Sequence, residues 1–200
     1  MTWIDTITYD KAEGRLKTLY DRIKGPDNHI DNILLAHSLR PHALEGHMAL
    51  YRSVLHHPGN ELPKWLLESV GVYVSLINGC DYCVGHHYEG LRKLLNDDER
   101  SARMRAALEA REPEAAYAQR DAALLAYAAT LAREPSVISS ATIDQLRSAG
   151  ATDGEILEVN QVASYFCYAN RVVLGLGINK EAENVGLSPS GAGEDNWHHA

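Results

Sequence analysis

The sequence predicts an all-α fold, and three observations support that prediction. Apolar residues recur at helical spacing in one segment after another, as Leu16, Leu19 and Ile23 do in the first. Breaks rich in Gly and Pro separate the segments, with "GPDN" at 25–28 and "HHPGN" at 56–60. No run alternates apolar and polar residues over enough length to predict a strand. We therefore expect a helical bundle.

The sequence predicts the following helices in chain order. The first helix has one apolar face and ends at "GPDN", and a short helix comes after it. Pro41 and Pro63 suit the first turn of the next two helices, and "NG" at 78–79 separates the second of these from a further helix. The predicted helices span about residues 9–24, 31–39, 41–55, 63–77, 80–95, 101–111, 114–133, 140–148 and 155–176.

Composition excludes several classes of partner. The 200 residues are 45% hydrophobic and 23% charged, as in ordinary globular proteins, with a net charge of −8. No long basic run is present, so we expect neither nucleic acid nor an anionic membrane as a partner. The longest apolar stretch, "SVGVYVSLINGC", is too short to span a bilayer. An acidic, mixed N-terminus and only three cysteines predict a cytoplasmic protein without structural disulfides.

The chain length fits a single domain, which we place at residues 1–185. A weak internal sequence repeat divides this domain into two halves. Glu68 lies twelve residues before Cys80, and Glu158 lies twelve residues before Asn170. On this alignment, a CxxC-bearing half covers about residues 40–100, and a second half that has lost the motif covers about 114–180. The tail at 186–200 is rich in Gly and Ser, and we expect it to be flexible or held by a partner chain.

The segment "NGCDYCVGHH" at 78–87 contains the main chemical signal, a CxxC pair at Cys80 and Cys83. Covalent attachment of a c-type haem requires CxxCH, and Val84 follows the second cysteine here. A zinc site would need a distant fourth ligand beside Cys80, Cys83 and His87, which disfavours it. A thioredoxin-like motif expects a strand before the CxxC, whereas helices surround this one.

Helix geometry favours a redox-active dithiol. The "NG" break puts Cys80 in the first turn of a helix, with Cys83 and His87 following on the same face. A helix N-terminus stabilises a thiolate, and a neighbouring histidine can take the thiol proton. The first argument favours Cys80 as the more acidic thiol and the second favours Cys83, and we follow the second, the pairing of Cys83 with His87.

Glu68 is a candidate third member of this group. On one continuous helix it would lie about 18 Å from Cys80, since each residue rises ~1.5 Å. The break at 78–79 lets the two helices fold against each other, so that Glu68 can approach His87. A simpler interpretation places this isolated carboxylate on the polar side of its helix.

Taken together, the order Glu68, Cys80, Cys83 and His87 resembles the E-x11-CxxC-x3-H signature of the AhpD-like alkylhydroperoxidases, in the carboxymuconolactone decarboxylase superfamily. The flanking "NGCDYC" and the segments "WIDTITYDKAEGRLKTLYDRI" and "GEILEVNQVASYFCYANRVVLGLGI" resemble its uncharacterised peroxidase-related subgroup. The likeness extends over about residues 3–186. It implies an AhpD-like helical bundle.

The resemblance also implies a role for each residue. Cys83 corresponds to the peroxidatic cysteine and Cys80 to the resolving cysteine that closes a disulfide with it. His87 corresponds to the base that deprotonates Cys83 directly or through water, and Glu68 to the group that orients it. Better-known members carry a histidine between the cysteines, where this chain has Tyr82. Tyrosine donates a hydrogen bond but does not accept a proton near neutral pH, so Tyr82 changes that part of the relay.

The implied activity is reduction of a hydroperoxide through a dithiol–disulfide cycle, with no cofactor and no metal. A lipoyl- or thioredoxin-like dithiol would reduce the disulfide, and the family implies a homo-oligomer. A thiol redox switch without catalysis and a carboxymuconolactone-decarboxylase-type lyase stay as alternatives.

Several residues outside the signature were also interpreted from the sequence. We expect Cys167 to be a buried apolar residue. His86 is expected to face solvent or a subunit, and Asn170 and Arg171 to form a structural or interface hydrogen-bonding unit. The remaining histidines that we place at the surface or in an interface are His47, His56 and His57.

Overall fold

The computed structural model describes residues 2–180, and within this range the chain forms α-helices and no strand. The all-α prediction is therefore confirmed. The helices are α1 (Gly14–Ile23), α2 (Asn32–Ala36), α3 (Pro41–Tyr51), α4 (Lys64–Asn78), α5 (Asp81–Leu95), α6 (Asp98–Ala110), α7 (Gln119–Arg133), α8 (Ser140–Ser148) and α9 (Asp153–Gly175). Short 3-10 turns and one π-helical turn (Arg52–His56) connect some of them.

Several helix boundaries differ from those predicted, for local reasons. The first helix begins at Gly14 instead of residue 9, because Ala12 and Glu13 are extended after a 3-10 turn. The second ends at Ala36, since Arg40 before Pro41 must leave the helical region. α6 begins three residues early, because the Asp97 carboxylate caps it by accepting the Arg100 backbone N–H at 2.9 Å.

Helix α4 occupies the centre of the bundle, where it packs against α5, α7 and α9. Its residues are buried on every side from Leu66 to Ser75, as expected of a helix that other helices surround. At Gly71 the Phe166 ring of α9 lies against the α4 backbone, in the space that a β-carbon would fill. This close approach brings α9 into the same region as the break between α4 and α5.

One hydrophobic core contains buried residues from both predicted halves, from Leu44 in the first to Ala169 in the second. The weak internal repeat between the halves does not include the break between α4 and α5. Gly79 interrupts the first copy, whereas α9 runs without interruption through Asn170. The division at about residues 40–100 and 114–180 stays a prediction, and the predicted tail at 186–200 lies outside the described residues. None of the described helices combines the length and apolar character needed to cross a bilayer.

Candidate active site

The break between α4 and α5 builds the site. Gly79 adopts φ 71° and ψ 30°, a left-handed conformation that glycine adopts without steric cost. The backbone N–H groups of Gly79 and Cys80 then donate to the carbonyls of Leu76 and Ser75, which closes α4. Cys80 becomes the N-cap of α5 instead of lying inside its first turn. α5 packs back along α4, so residues of the two helices meet.

Glu68 of α4 and His87 of α5 form the first pair at this junction. The Glu68 Oε2 atom lies 2.7 Å from His87 Nδ1, and both side chains are largely buried. The simpler interpretation that placed Glu68 on a polar face is therefore wrong, because α4 has no polar face at this level. The carboxylate accepts the Nδ1 proton and leaves Nε2 as the ring nitrogen for proton exchange. Phe166 supports the ring edge-on, at 4.5 Å between centroids.

The two cysteines form the second pair. Both are free thiols, both are buried, and a hydrogen bond joins their Sγ atoms at 2.8 Å. This bond, the Cys83 backbone N–H and the Asn170 side chain lower the pKa of Cys80 below its ordinary value, against burial and the charge of Asp81. The same bond, burial and the charge of Cys80 raise the pKa of Cys83 well above its ordinary value.

These two directions contradict the preference for Cys83 that rested on the His87 pairing, and their main cause is the hydrogen bond between the two sulfur atoms. Cys80 holds the negative charge more readily than Cys83 does. His87 is hydrogen-bonded to Glu68, and among the described residues no hydrogen bond joins it directly to Cys83. Proton transfer between His87 and the thiols would pass through a bound molecule.

Asn170 of α9 lies in the region of the dithiol, where its side chain is one of the influences that lower the pKa of Cys80. The side chain is fully buried and hydrogen-bonds two residues of α4. Its Oδ1 atom accepts from Asn78 Nδ2 at 2.9 Å, and its Nδ2 atom donates to Ser75 Oγ at 3.0 Å. Asn170 therefore has the expected structural hydrogen-bonding role, whereas Arg171 is exposed and donates to the Cys167 backbone carbonyl of its own helix.

A small cavity of about 50 Å³ opens beside the two pairs. Cys83, Glu68 and His87 line it, whereas Cys80 faces a separate, more open hollow of about 220 Å³. Aromatic and imidazole rings make up much of the remaining wall of the small cavity, namely Tyr51, Tyr82, Tyr165, Phe166, His47 and His86. The two sulfur atoms therefore face different spaces.

Residues 41–130, which include both cysteines and the Glu68–His87 pair, match the model of the carboxymuconolactone decarboxylase family. This matching segment of 90 of the 200 residues is similar to the carboxymuconolactone decarboxylase family and holds all four residues of the signature. No curated protein matches the chain.

Solved structures share the fold of this chain over most of its length. A peroxidase-related protein with an AhpD core from Ralstonia eutropha JMP134 is 20% identical with a TM-score of 0.74, covering 89% of this chain and 91% of that one. A peroxidase-related protein from Silicibacter sp. TM1040 is 24% identical with a TM-score of 0.70, covering 88% and 87%. The debrominase Bmp8, as a cysteine-to-alanine variant in complex with 2,3,4-tribromopyrrole, is 15% identical with a TM-score of 0.67, covering 91% and 95%.

Tyr82, between the two cysteines in the sequence, forms part of the cavity wall. It is buried, and its hydroxyl accepts the backbone N–H of Ile33 at 3.4 Å. Its ring packs against His86 at 4.5 Å between centroids. His86 is therefore partly buried and lines the cavity, although the sequence argument placed it toward solvent or a subunit. Tyr82 links α5 to the start of α2.

His47 was expected at the surface, and that expectation is wrong. It is 4% exposed, and its ring packs on His37 at 4.7 Å and near Tyr165 at 5.8 Å between centroids. The reason is visible in the sequence, because His47 lies three residues after Leu44 and four before Tyr51 on the buried face of α3. That helical spacing was the signal that could have identified it.

The other histidines and the third cysteine are less central. His57 is exposed as expected, while His56 is partly buried with its ring edge-on to Tyr51. Cys167 is only partly buried, and its sulfur lies 3.8 Å from Asn78 Nδ2. In the part of the chain that the structure describes, no three His, Cys, Asp or Glu side chains converge as a metal site would require.

Proposed function

We propose that this chain is a cysteine-dependent hydroperoxide reductase that cycles between the Cys80–Cys83 dithiol and its disulfide. One observation carries the proposal. The Cys83 sulfur lines the same small cavity as the Glu68–His87 pair, with the Cys80 sulfur 2.8 Å away. Such a cavity holds a nucleophile, a proton-transfer group and a resolving thiol around one reacting molecule.

The reactive state has one proton on the dithiol and an added proton on His87. The dithiol gives up a proton to the imidazole through the bound molecule, and the Glu68 carboxylate stabilises the imidazolium that forms. The remaining proton is shared between the sulfur atoms. Cys80 holds the charge most of the time, and Cys83 becomes the thiolate when the shared proton moves to Cys80.

The Cys83 thiolate attacks the terminal oxygen of the hydroperoxide. The S–O bond forms as the O–O bond breaks, and the electron pair leaves on the alkoxide. The alkoxide takes the proton from His87 and departs as the alcohol. Cys83 is then a sulfenic acid, two electrons more oxidised than the thiolate.

The Cys80 thiol completes the oxidation. Its sulfur attacks the Cys83 sulfur, the S–O bond breaks, and the hydroxyl leaves as water with the Cys80 proton. One peroxide has then been reduced by two electrons, and the dithiol has become a disulfide. An external dithiol of the lipoyl or thioredoxin type reduces that disulfide by exchange and supplies the two electrons.

Cavity size supports a small peroxide as substrate. The volume of about 50 Å³ exceeds the roughly 10–15 Å³ that one water requires. It is well below the roughly 150 Å³ of a protein cavity that accepts benzene. Hydrogen peroxide or a short alkyl hydroperoxide therefore fits without rearrangement of the wall.

The test is consumption of hydrogen peroxide and ethyl hydroperoxide with dihydrolipoamide as reductant. We expect turnover by the wild type, none by Cys83→Ser, and one stoichiometric reaction without turnover by Cys80→Ser. Glu68→Gln should slow turnover by about 10- to 100-fold, since it removes a buried charged hydrogen bond. Cys167→Ser is the matched control and should retain wild-type rates. A wild type no faster than Cys83→Ser would refute the proposal.

The structure of Bmp8 suggests one further arm for the same assay, because a dithiol can also deliver two electrons to a carbon–halogen bond. The aromatic wall of the cavity, including Tyr51 and Tyr165, suits a ring substrate. We therefore include 2,3,4-tribromopyrrole, and we expect no debromination because the cavity is too small for that ring. Debromination without peroxide turnover would replace our proposal, and oxidation of the dithiol without either turnover would favour a redox switch.

A further inference from the structure

The hollow of about 220 Å³ beside Cys80 takes no part in the peroxide steps described above. Cys80 lines this hollow and Cys83 does not, whereas Cys83 and not Cys80 lines the small cavity of about 50 Å³. The Cys80 side chain packs in one apolar cluster with Val173 and Ile178, which also belong to the wall of the hollow. The dithiol therefore lies between two spaces of different size.

Reduction of a Cys80–Cys83 disulfide restricts the direction from which the external thiolate attacks. In thiol–disulfide exchange the attacking, attacked and leaving sulfur atoms lie nearly on one line. An attack on Cys83 must therefore come from the side of the small cavity, and an attack on Cys80 from the side of the hollow. The sulfur that is attacked is then the one whose space admits the reductant.

The two volumes differ enough to decide between the sulfur atoms. A protein cavity of roughly 150 Å³ accepts benzene, which is close in size to the dithiol-bearing end of a lipoyl group. The hollow exceeds that volume, and the small cavity falls well short of it. The end of a lipoyl-type arm therefore fits beside Cys80 and not beside Cys83.

The wall of the hollow also matches a dithiol that is carried on a hydrocarbon arm. Val173, Leu174 and Ile178 form its apolar part, which suits a methylene chain. Lys180 lines the hollow as well, and its Nζ atom lies 2.7 Å from the place of a β-carbon at Gly85. A cation at this position attracts an approaching thiolate. A recess of this size receives a single arm more readily than the folded surface of a thioredoxin-like protein.

Cys80 is 0% exposed, so a side chain in the wall must move before the attack. Ile178 covers it from a position beyond Gly175, the last residue of α9. The Ile178 side chain can therefore move without unwinding a helix, and its backbone N–H stays bonded to the Val173 carbonyl at 3.0 Å.

We propose that this hollow is the binding site of the reductant, a lipoyl-type dithiol arm, and that Cys80 is the sulfur that it attacks. One thiolate of the arm forms a bond to the Cys80 sulfur, the Cys80–Cys83 bond breaks, and the electron pair leaves on Cys83. Cys83 is released on the side of the small cavity, where His87 supplies a proton through bound water. The second thiolate of the arm attacks the arm's own sulfur in the mixed disulfide, which releases Cys80 as a thiolate. The arm leaves as a cyclic disulfide, oxidised by the two electrons that the protein gains.

This inference rests on the proposed function for its place in the cycle, but the reduction step can be measured without any peroxide. Diamide oxidises the full-length protein to the disulfide, and the rate of its reduction by dihydrolipoamide is followed by quenching, alkylation and mass measurement. Leu174 is 45% exposed at the rim of the hollow, so Leu174→Trp fills the hollow from outside the core. We expect this variant to be reduced about 10-fold more slowly, because the arm is kept from the attacking geometry.

Leu157→Trp is the matched control, since Leu157 is an exposed leucine of the same helix and does not line the hollow. It should be reduced at the wild-type rate. Lys180→Gln should slow reduction by about 2- to 5-fold, the effect of one exposed charge. Oxidation of the reduced protein by hydrogen peroxide should be unchanged in all three variants, because none of these residues lines the small cavity.

A monothiol identifies the attacked sulfur directly, because its reaction stops at the mixed disulfide. The disulfide form is exposed briefly to N-acetylcysteamine and then alkylated with iodoacetamide. Fragment masses of the tryptic peptide at 65–92 should place the monothiol on Cys80 and the alkyl group on Cys83. The monothiol on Cys83 would overturn the inference.

Circular dichroism shows which variants fold, and Leu174→Glu, which puts a like charge in the path of the thiolate, provides the test if Leu174→Trp does not fold. A folded Leu174 variant that is reduced at the wild-type rate would overturn the inference. Equal slowing of reduction and of oxidation by peroxide would also overturn it, since the substitution would then disturb the dithiol itself. Faster reduction by a thioredoxin than by dihydrolipoamide would refute the lipoyl-type occupant. The expected reduction rates in a protein without peroxide turnover would refute the proposed function and leave the reductant site intact.

Discussion

The contact between Gly71 and Phe166 yields a prediction that links packing to catalysis. A β-carbon added at Gly71 would lie 2.4 Å from Phe166 Cζ and 2.5 Å from Cε2. Carbon atoms in protein cores pack at about 3.5–4.0 Å, so Gly71→Ala requires the ring to retreat by roughly 1 Å. The ring is fully buried, and it also supports the His87 imidazole. The displacement is therefore transmitted to His87.

The magnitude follows from two opposing terms. Overpacking a core costs about 1–3 kcal/mol, and replacing a helical glycine by alanine gains up to about 1 kcal/mol. We expect a net loss of stability of about 1–2 kcal/mol, or a fall in Tm of about 2–8 °C for a chain of this size. We expect a larger effect on turnover, about 10- to 100-fold, because displacement of a proton-transfer group by 1 Å is costly.

Gly46 provides the matched control, because it is an exposed glycine in α3 with no atom within 4 Å of an added β-carbon. Gly46→Ala should leave turnover unchanged and raise Tm slightly. The double variant Gly71→Ala/Phe166→Leu removes the colliding ring and should recover part of the lost rate. Thermal unfolding and peroxide consumption measure both effects. The reasoning is refuted if Gly71→Ala behaves like Gly46→Ala.

Three further predictions address substrate size, pH and helix capping. Met48 lines the cavity, so Met48→Ala should raise turnover of cumene hydroperoxide relative to hydrogen peroxide, and an unchanged ratio would contradict the size argument. Burial lowers the pKa of His37 below 6.5, so the unfolded chain binds the proton more readily than the folded chain, and the free energy of unfolding falls as pH drops below about 6.5. In urea unfolding at several pH values, His37→Gln should weaken this pH dependence. An equal change in unfolding free energy with pH for the wild type and the variant would contradict the argument. Thr152 caps α9 by accepting the Glu155 N–H at 3.1 Å, so Thr152→Ala should cost about 1 kcal/mol of stability, and an unchanged Tm would argue against a capping role.

Local sequence signals were sufficient for the helices and for part of the site. The periodicity and the "NG" break predicted α4 and α5, and the break allowed Glu68 to reach His87. Both members of that pair lie on neighbouring helices, so one turn determines their contact. The sequence argument preferred Cys83 as the more acidic thiol because of His87, whereas the hydrogen bond between the two sulfur atoms lowers the pKa of Cys80 instead.

The rest of the site depends on helices that are distant in sequence. The hydrogen bond between Asn78 and Asn170 joins residues 92 positions apart, and nothing local to either residue specifies it. The helical spacing of His47 was enough to predict its place on the buried face of α3. Its ring partners could not be predicted in this way, because His37 lies after α2 and Tyr165 lies in α9. Packing angles between helices decide such contacts, and periodicity does not determine those angles.

The position of the Cys80 sulfur, 2.8 Å from that of Cys83, also affects how the protein would tolerate excess oxidant. A sulfenic acid on Cys83 has two fates, which are condensation with a thiol or reaction with a second peroxide to the irreversible sulfinic acid. Here the condensing thiol is already in contact and needs no helix to unwind, whereas the second peroxide must first enter the small cavity. Under the proposed function, the spacing of two residues at the start of one helix would therefore protect the protein from irreversible inactivation.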